Sequence, residues 1–172
     1  GFLVFNDRTY PHLIALVDEL GVASTPSEMS FSARIDAAGL EWAGTSVASL
    51  FAQPSSALRP DFWRMLADIA RFNRETTALL ERDALWSISL GEFLDQRRFG
   101  APLRDWYLLP MAAAIWSSPK KDILDFPLPT FVRFCHNHGL LSISNRPQWR
   151  TVVGGGREYV RRIAATLPDV RV

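Results

Sequence analysis

The segment PDFWRMLADIARFNRETTALL, residues 60–80, decides the main architecture of this chain. Its apolar residues recur with a period close to 3.6, which places them on one face of an α-helix, and its charged residues fall mainly on the other side. The apolar face consists of Phe62, Met65, Leu66, Ile69, Phe72, Thr76, Leu79 and Leu80. The segment therefore predicts a long amphipathic helix that packs one face against a core.

Further helices are predicted on the C-terminal side of this segment. Ser89, with Glu92 three residues later, forms a capping box, which is a sequence signature of a helix start. The run from Ala101 to Trp116 is apolar nearly all round, which is typical of a helix buried on several sides, and Pro110 in its interior is expected to kink or break it. A last helix in this region is predicted between Pro129 and Gly139, with one face formed by Phe131, Phe134, Cys135 and His138.

Strands are predicted in the N-terminal and C-terminal parts of the chain. Met29 to Ile35 and Leu40 to Trp42 flank a turn-like sequence and are expected to pair as a hairpin. Before this hairpin, Thr9 is expected to cap a short helix that Gly21 ends. Trp149 to Val153 is predicted to be a strand, followed by three glycines and a helix whose inward face comprises Tyr159, Val160, Ile163, Ala164 and Leu167. The expected fold class is α+β, mainly helical with a small antiparallel sheet.

Composition narrows the possible functions. The 172 residues include 19 basic and 18 acidic side chains, so no broad electrostatic field attracts a nucleic acid. The single cysteine, Cys135, has no partner for an internal disulfide, which favours a buried thiol and a reducing compartment, taken as the cytoplasm. No run approaches the ~18 apolar residues of a membrane span. Six Trp and 11 Phe residues exceed what a minimal core needs, which is a hint of a large apolar pocket.

Two local patterns each have a functional and a structural interpretation. Glycines between a strand and a helix, as at Gly154 to Gly156, let a ligand approach the backbone and favour an anion at the helix start, but such a run is more often a tight connection. Cys135, His136 and His138 predict no metal site, because histidines two apart on a helix point to different sides and no second ligand pair is present. His138 is expected to be a hydrogen-bonded histidine of the core or of a pocket.

Three stretches of the sequence carry a family resemblance: GFLVFNDRTYP at residues 1–11, LLPMAAAIWS at 108–117 and HNHGLL at 136–141. They resemble bacterial proteins described as predicted NAD/FAD-binding or flavin-containing amine oxidase-like proteins. These proteins are similar to a wider group that includes monoamine oxidases, protoporphyrinogen oxidases and carotenoid desaturases, all with a two-domain flavoprotein fold. The resemblance spans the whole chain and implies that the chain is the middle part of such a flavoprotein.

The resemblance also implies a division into domains. Residues 6–148 would form the substrate domain, and residues 1–5 and 149–172 would be edges of the cofactor domain. The family binds FAD through an N-terminal glycine-rich turn and a C-terminal segment, and neither matches this sequence, so FAD is expected in the parent protein and not in this fragment. The apolar start of the sequence and its strand-like end are both expected to be internal to a longer parent chain.

The substrate side of the flavin site is what the resemblance assigns to this chain. The expected substrate-binding residues are Trp106, Tyr107, Met111, Trp116, Phe134, His138 and Glu158, and Gly154, Gly155 and Gly156 are expected near the cofactor. Glu158 stands where monoamine oxidases have a Gln, which leaves amine specificity open. The parent would oxidise a C–N or C–C bond of a small apolar or amphipathic substrate by hydride transfer to flavin.

Two alternatives to this function remain open. In the first, the chain would be an independent binding module for a lipid or isoprenoid, without catalysis. In the second, the parent would bind flavin without turnover. No catalytic residue within the chain is predicted under any of the three hypotheses.

Overall fold

The computed structural model describes residues 4–81, 87–142 and 146–168, with only the backbone of Lys120 and Lys121. The chain divides into a central unit, Ser30–His136, and a discontinuous unit, which Gly1–Met29 and Asn137–Val172 form together. The fold is α+β and mainly helical with small antiparallel sheets, which confirms the predicted class. No helix in the described part of the chain is long and apolar enough to cross a membrane.

The central unit begins with the predicted hairpin. β3 (Ser32–Ile35) and β4 (Leu40–Ala43) pair in antiparallel orientation. A 3-10 turn at Asp36–Ala38 joins them, and Gly39 follows with a φ of 53°, a left-handed conformation that glycine adopts without steric cost. Inward side chains of the hairpin share one core with the first turns of the long helix, formed by Ala33, Leu40, Trp42, Phe62 and Met65.

Helices form most of the rest of the central unit. They are α2 (Val47–Leu50), α3 (Pro60–Glu81), α4 (Leu90–Gln96), α5 (Leu109–Trp116), α6 (Lys120–Leu124) and α7 (Leu128–Asn137). α3 confirms the long helix that the 3.6-residue period predicts. The predicted capping box at the start of α4 is also confirmed: Ser89 Oγ accepts from the amide of Glu92 at 3.1 Å, and the amide of Ser89 donates to the Glu92 carboxylate at 2.7 Å.

The predicted disturbance at Pro110 takes the form of a π-helical segment, Leu103–Leu108, directly before α5. Pro110 has no N–H, so it cannot donate to the carbonyl of Trp106, four residues earlier. The indole Nε1 of Trp42, on β4, donates to that carbonyl at 3.2 Å. A side chain of the hairpin thus supplies a hydrogen bond that the proline cannot make.

The discontinuous unit is built on a three-stranded antiparallel sheet in the order β1–β5–β2. Its elements are β1 (Phe5–Asn6), α1 (Pro11–Glu19), β2 (Ser24–Ser27), β5 (Trp149–Val152) and α8 (Gly156–Thr166). The middle strand comes from the C-terminal segment and both outer strands come from the N-terminal segment, so the sheet requires pairing between distant parts of the chain. Its buried core is small and consists of Phe5, Val17, Val22 and Val152.

β2 was not predicted, because its sequence Ser-Thr-Pro-Ser has no apolar alternation. Pro26 lies opposite Arg150 of β5. Arg150 also donates from Nη2 to the carbonyl of Ser24 at 2.9 Å. Because Pro26 has no N–H and the Ser24 carbonyl already accepts a hydrogen bond, the outer edge of β2 has few backbone groups for a further strand.

Two sequence predictions for this unit are wrong. Thr9 does not cap α1, because Asn6 Oδ1 accepts from the amide of Thr9 at 2.9 Å and from its hydroxyl at 3.0 Å, and Tyr10 occupies the N-cap position. Val160 on α8 and Leu167 directly after it do not face the core but are 54% and 52% exposed. The face of α8 that turns inward is the one that carries Tyr159, which packs against the core.

Candidate functional site

The predicted site residues are divided between the two units. Trp106, Tyr107, Met111, Trp116 and Phe134 belong to the central unit, whereas His138, Gly154, Gly155, Gly156 and Glu158 belong to the discontinuous unit. The geometry of each group is therefore local to its own unit.

Trp106 and Tyr107 lie in the π-helical segment and pack, half-buried, against the core of the hairpin. The Tyr107 ring centroid is 5.7 Å from that of Trp42, with 31° between the ring planes. π-Helical segments are frequent at functional sites, yet these contacts also account for both residues as packing partners of the hairpin. The role of Trp42 could not be predicted from the sequence. Pro110 implies that another donor is needed at the Trp106 carbonyl, but it does not identify that donor.

Trp116, at the C-terminal end of α5, is the centre of an aromatic cluster. Its ring centroid lies 4.7 Å from that of Phe134, 5.3 Å from Phe126 and 5.7 Å from Phe131. Met111, also on α5, is buried. The structure thus brings together two of the predicted substrate-binding residues, Trp116 and Phe134, and adds two rings that were not assigned to the site.

A pocket of about 100 Å³ lies beside Trp116 and is lined by Trp116, Ser118, Asp122, Ile123 and Phe126. Its lining is mainly apolar. The hydroxyl of Ser118 donates to the carbonyl of Trp116 at 3.1 Å. The side chain of Asp122 is exposed and makes no hydrogen bond or ion pair to any described residue. Pockets for drug-sized ligands enclose roughly 300–1,000 Å³, so this pocket has room for one small group and not for a whole amphipathic molecule.

His138, which follows α7, is hydrogen-bonded, as the sequence predicts. Its Nε2 and the hydroxyl of Tyr10 are 3.2 Å apart. The imidazole also stacks on Trp149, with 6.0 Å between centroids and 18° between planes, and meets the Tyr10 ring edge-on. A phenol and an indole therefore orient the imidazole, and no local sequence pattern links these three residues.

Cys135, on α7, is fully buried, which confirms the predicted environment of its thiol. Burial raises the pKa of the thiol to about 12, because a low-dielectric environment penalises the thiolate. A thiol that stays protonated at neutral pH is a poor nucleophile. Within residues 4–81, 87–142 and 146–168, no group of three or more His, Cys, Asp or Glu residues is placed to hold a metal ion.

The glycine turn between β5 and α8 has an open backbone. Gly154 and Gly155 have φ values of 82° and 77°, and the amide of Gly155 donates to the carbonyl of Val152 at 3.0 Å. With a ψ of −179°, Gly155 lies in a region that is essentially restricted to glycine. A Cβ at this position would have no other atom within 4 Å, so the run is a tight connection whose backbone is accessible.

Glu158, in the first turn of α8, is paired with two arginines. Its carboxylate accepts from Arg161 Nη2 and from Arg162 Nε, both at 2.9 Å. These hydrogen bonds lower the pKa of the carboxyl group from 4.5 to about 2. Arg162 also donates to the carbonyls of Leu20 and Gly21 at 2.9 and 3.0 Å. Glu158 thus helps to attach α8 to the end of α1, and its charge is already balanced without a cationic substrate.

No protein-family model matches this chain, and no curated protein matches it.

Proposed function

We propose that this chain is the substrate-binding portion of an FAD-dependent oxidoreductase of the amine oxidase type, which acts on an apolar or amphipathic substrate. Hydride acceptance is the chemistry of the flavin when it is bound by the parent protein. The residues of this chain bind and orient the substrate and exclude water from it. The proposal has its origin in the sequence resemblance and is supported by three local features of the structure.

The observation that carries the proposal is the open turn at Gly154 and Gly155. The absence of side chains and the free space at the Gly155 Cβ position let a planar ring or another backbone approach closely. These are the glycines that the resemblance places beside the cofactor.

Val153, directly before this turn, is apolar and 51% exposed. Val160 on α8 and Leu167 directly after α8 are 54% and 52% exposed. Apolar surface beside an accessible backbone is typical of an interaction surface, and under the proposal the cofactor-binding segments of the parent cover it.

The aromatic cluster around Trp116 supports the substrate side of the proposal. Trp116 and Phe134, whose centroids are 4.7 Å apart, provide an apolar wall in the central unit. The adjoining pocket of about 100 Å³ accepts one end of a substrate, which agrees with a ligand that has a compact terminal group.

The test compares two proteins: the 172-residue chain and a version extended by the coding sequence on both sides. Both are purified without added cofactor and their absorbance in the flavin band is recorded. We expect the shorter chain to be colourless and the extended one to retain FAD, which an added substrate bleaches. Flavin in the shorter chain, or an extended chain that cannot bind FAD, contradicts the proposal. If the extended chain retains FAD but no added substrate bleaches it, the parent is a flavin-binding protein without turnover.

An independent module for a lipid or isoprenoid is the second candidate. It is favoured by the central unit, which has its own core around Trp42 and Phe62 and its own pocket beside Trp116. A ligand that binds only the folded state raises the midpoint of thermal unfolding. A rise with farnesol in the 172-residue chain, combined with an extended chain that binds no flavin, identifies this function.

A further inference from the structure

We propose that the pocket beside Trp116 is a binding site for a methylated ammonium group, such as the head of choline or a methylated lysine side chain. This site lies wholly within the central unit and does not require the flavin chemistry proposed above, although the same pocket is assigned there to one end of the substrate. The inference rests on the aromatic lining, on one carboxylate, on the volume and on the mainly apolar surface of the pocket.

Two aromatic rings line the pocket. Trp116 and Phe126 both line it, and their centroids are 5.3 Å apart with 33° between the ring planes. Cations within about 6 Å of an aromatic ring are attracted by its quadrupole, most strongly by Trp, and quaternary ammonium groups are recognised in this way. Because both rings line this small pocket, a cation bound in it lies against both.

Asp122 supplies the negative charge. Asp122 lines the pocket and is exposed, and its carboxylate makes no ion pair or hydrogen bond to any described residue. It contrasts with Glu158, whose charge is balanced by Arg161 and Arg162. A cation bound against Trp116 and Phe126 therefore meets an available opposite charge.

The volume selects a compact group. Cavities of about 150 Å³ accept benzene, which has six heavy atoms, so roughly 25 Å³ is needed for each heavy atom. By this measure a pocket of about 100 Å³ accommodates about four heavy atoms. A trimethylammonium group has this number, with one nitrogen and three methyl carbons.

The polar groups of the pocket favour a methylated over a primary ammonium. A primary ammonium has three N–H donors, each of which requires an acceptor when it leaves water. Of the described side chains that line the pocket, those of Asp122 and Ser118 are polar, whereas those of Trp116, Ile123 and Phe126 are apolar. Methyl groups need no acceptor and gain from contact with the apolar lining formed by Ile123 and the two rings.

The test is an NMR titration of the 172-residue chain with choline and with its neutral isostere, in which a quaternary carbon replaces the nitrogen. Binding is followed through the indole N–H signal of Trp116. We expect a saturable shift with choline and roughly tenfold weaker binding of the isostere, because the isostere lacks both the cation–π and the ionic attraction.

Three variants locate the site. Asp122→Asn is expected to weaken choline binding about fivefold, and Phe126→Leu about threefold. Asp125→Asn is the matched control, since Asp125 is also exposed, lies three residues further along and does not line the pocket; it should bind choline like the unmodified chain. Equal affinity for choline and the isostere, equal effects of the two Asn variants, or the lack of a saturable shift overturns the proposal.

Discussion

In the central unit the main stabilising contacts are between buried rings, whereas the discontinuous unit combines a small apolar core with side chains that bond to distant backbone groups. The Phe72 ring lies 5.8 to 6.4 Å from the rings of Phe99, Phe93 and Phe131. Arg162, by contrast, donates to two carbonyls at the end of α1. The burial of rings contributes a large and non-directional free energy, whereas each such hydrogen bond is directional and contributes a small free energy. The two units should therefore respond differently to mutation.

The largest expected effect is that of Phe72→Ala in the central unit. Phe72 is fully buried among three other rings, and truncation of a buried Phe typically lowers the free energy of unfolding by about 3–5 kcal/mol. Chemical denaturation gives the total loss, and hydrogen exchange shows whether it is concentrated in residues 30–136.

Val17→Ala is the corresponding change in the core of the discontinuous unit. Val17 is buried to a similar extent, but it loses only two methyl groups, so we expect a loss of about 2 kcal/mol. If Val17→Ala costs as much as Phe72→Ala, the contrast between a ring-rich core and a small core is wrong.

A second prediction concerns the glycine turn of the discontinuous unit. Gly155→Ala is expected to lower the free energy of unfolding by about 1–3 kcal/mol because of the backbone conformation alone. The added Cβ meets no other atom within 4 Å. Gly156→Ala, at a helical position without a positive φ, should be neutral or stabilising by up to ~1 kcal/mol. Thermal unfolding of both variants decides the point, and equal destabilisation would contradict the assignment of the Gly155→Ala effect to its backbone conformation.

A third prediction tests the hydrogen bond that replaces the missing amide of Pro110. Trp42→Phe removes the indole donor to the Trp106 carbonyl, and Pro110→Ala restores a backbone N–H that can reach the same carbonyl. We expect Trp42→Phe to cost about 1 kcal/mol less when residue 110 is alanine. Trp63→Phe is the control, because the Trp63 indole donates to Ala57; its cost should not depend on residue 110.

The smallest effect is expected from acid titration of Glu158. Its pKa is lowered from 4.5 to about 2 by hydrogen bonds from Arg161 and Arg162. A carboxyl group with a depressed pKa stabilises the folded state fully above pH 4.5 and loses this contribution as the pH falls towards 2. Glu158→Gln should therefore lower the unfolding midpoint at neutral pH, and the difference from the unmodified chain should disappear in strong acid. A folded-state carboxyl titration centred near 4.5 would contradict this.

The parts of the fold that could be predicted are those with local signals. The amphipathic period of Pro60–Glu81, the reciprocal cap of Ser89 and Glu92, and the disturbance before Pro110 each depend on residues close together in sequence. β2 could not be predicted, because its strand conformation depends on pairing with β5 near the other end of the chain. Val160 and Leu167 were assigned to the wrong face because apolar periodicity identifies the apolar face of a helix but not whether the core covers that face.

The candidate site could be predicted only in part for the same reason. Trp116 and Phe134 were chosen as apolar residues of predicted helices, and their rings are in contact. Asp122 and Phe126 were missed, because they meet Trp116 only where α6 turns the chain back towards it. A single acidic residue in a short helix has no sequence pattern that separates it from a solvated surface charge.

Pro26 on the outer strand of the discontinuous unit has a consequence for self-association. Sheets with an open margin recruit strands from other molecules, and repeated recruitment leads to fibrils. On β2, Pro26 has no amide N–H to donate, and the Ser24 carbonyl already accepts a hydrogen bond from Arg150. A second molecule that approaches this margin finds no regular ladder to extend, so the chain can be concentrated with less risk of fibril growth from this side.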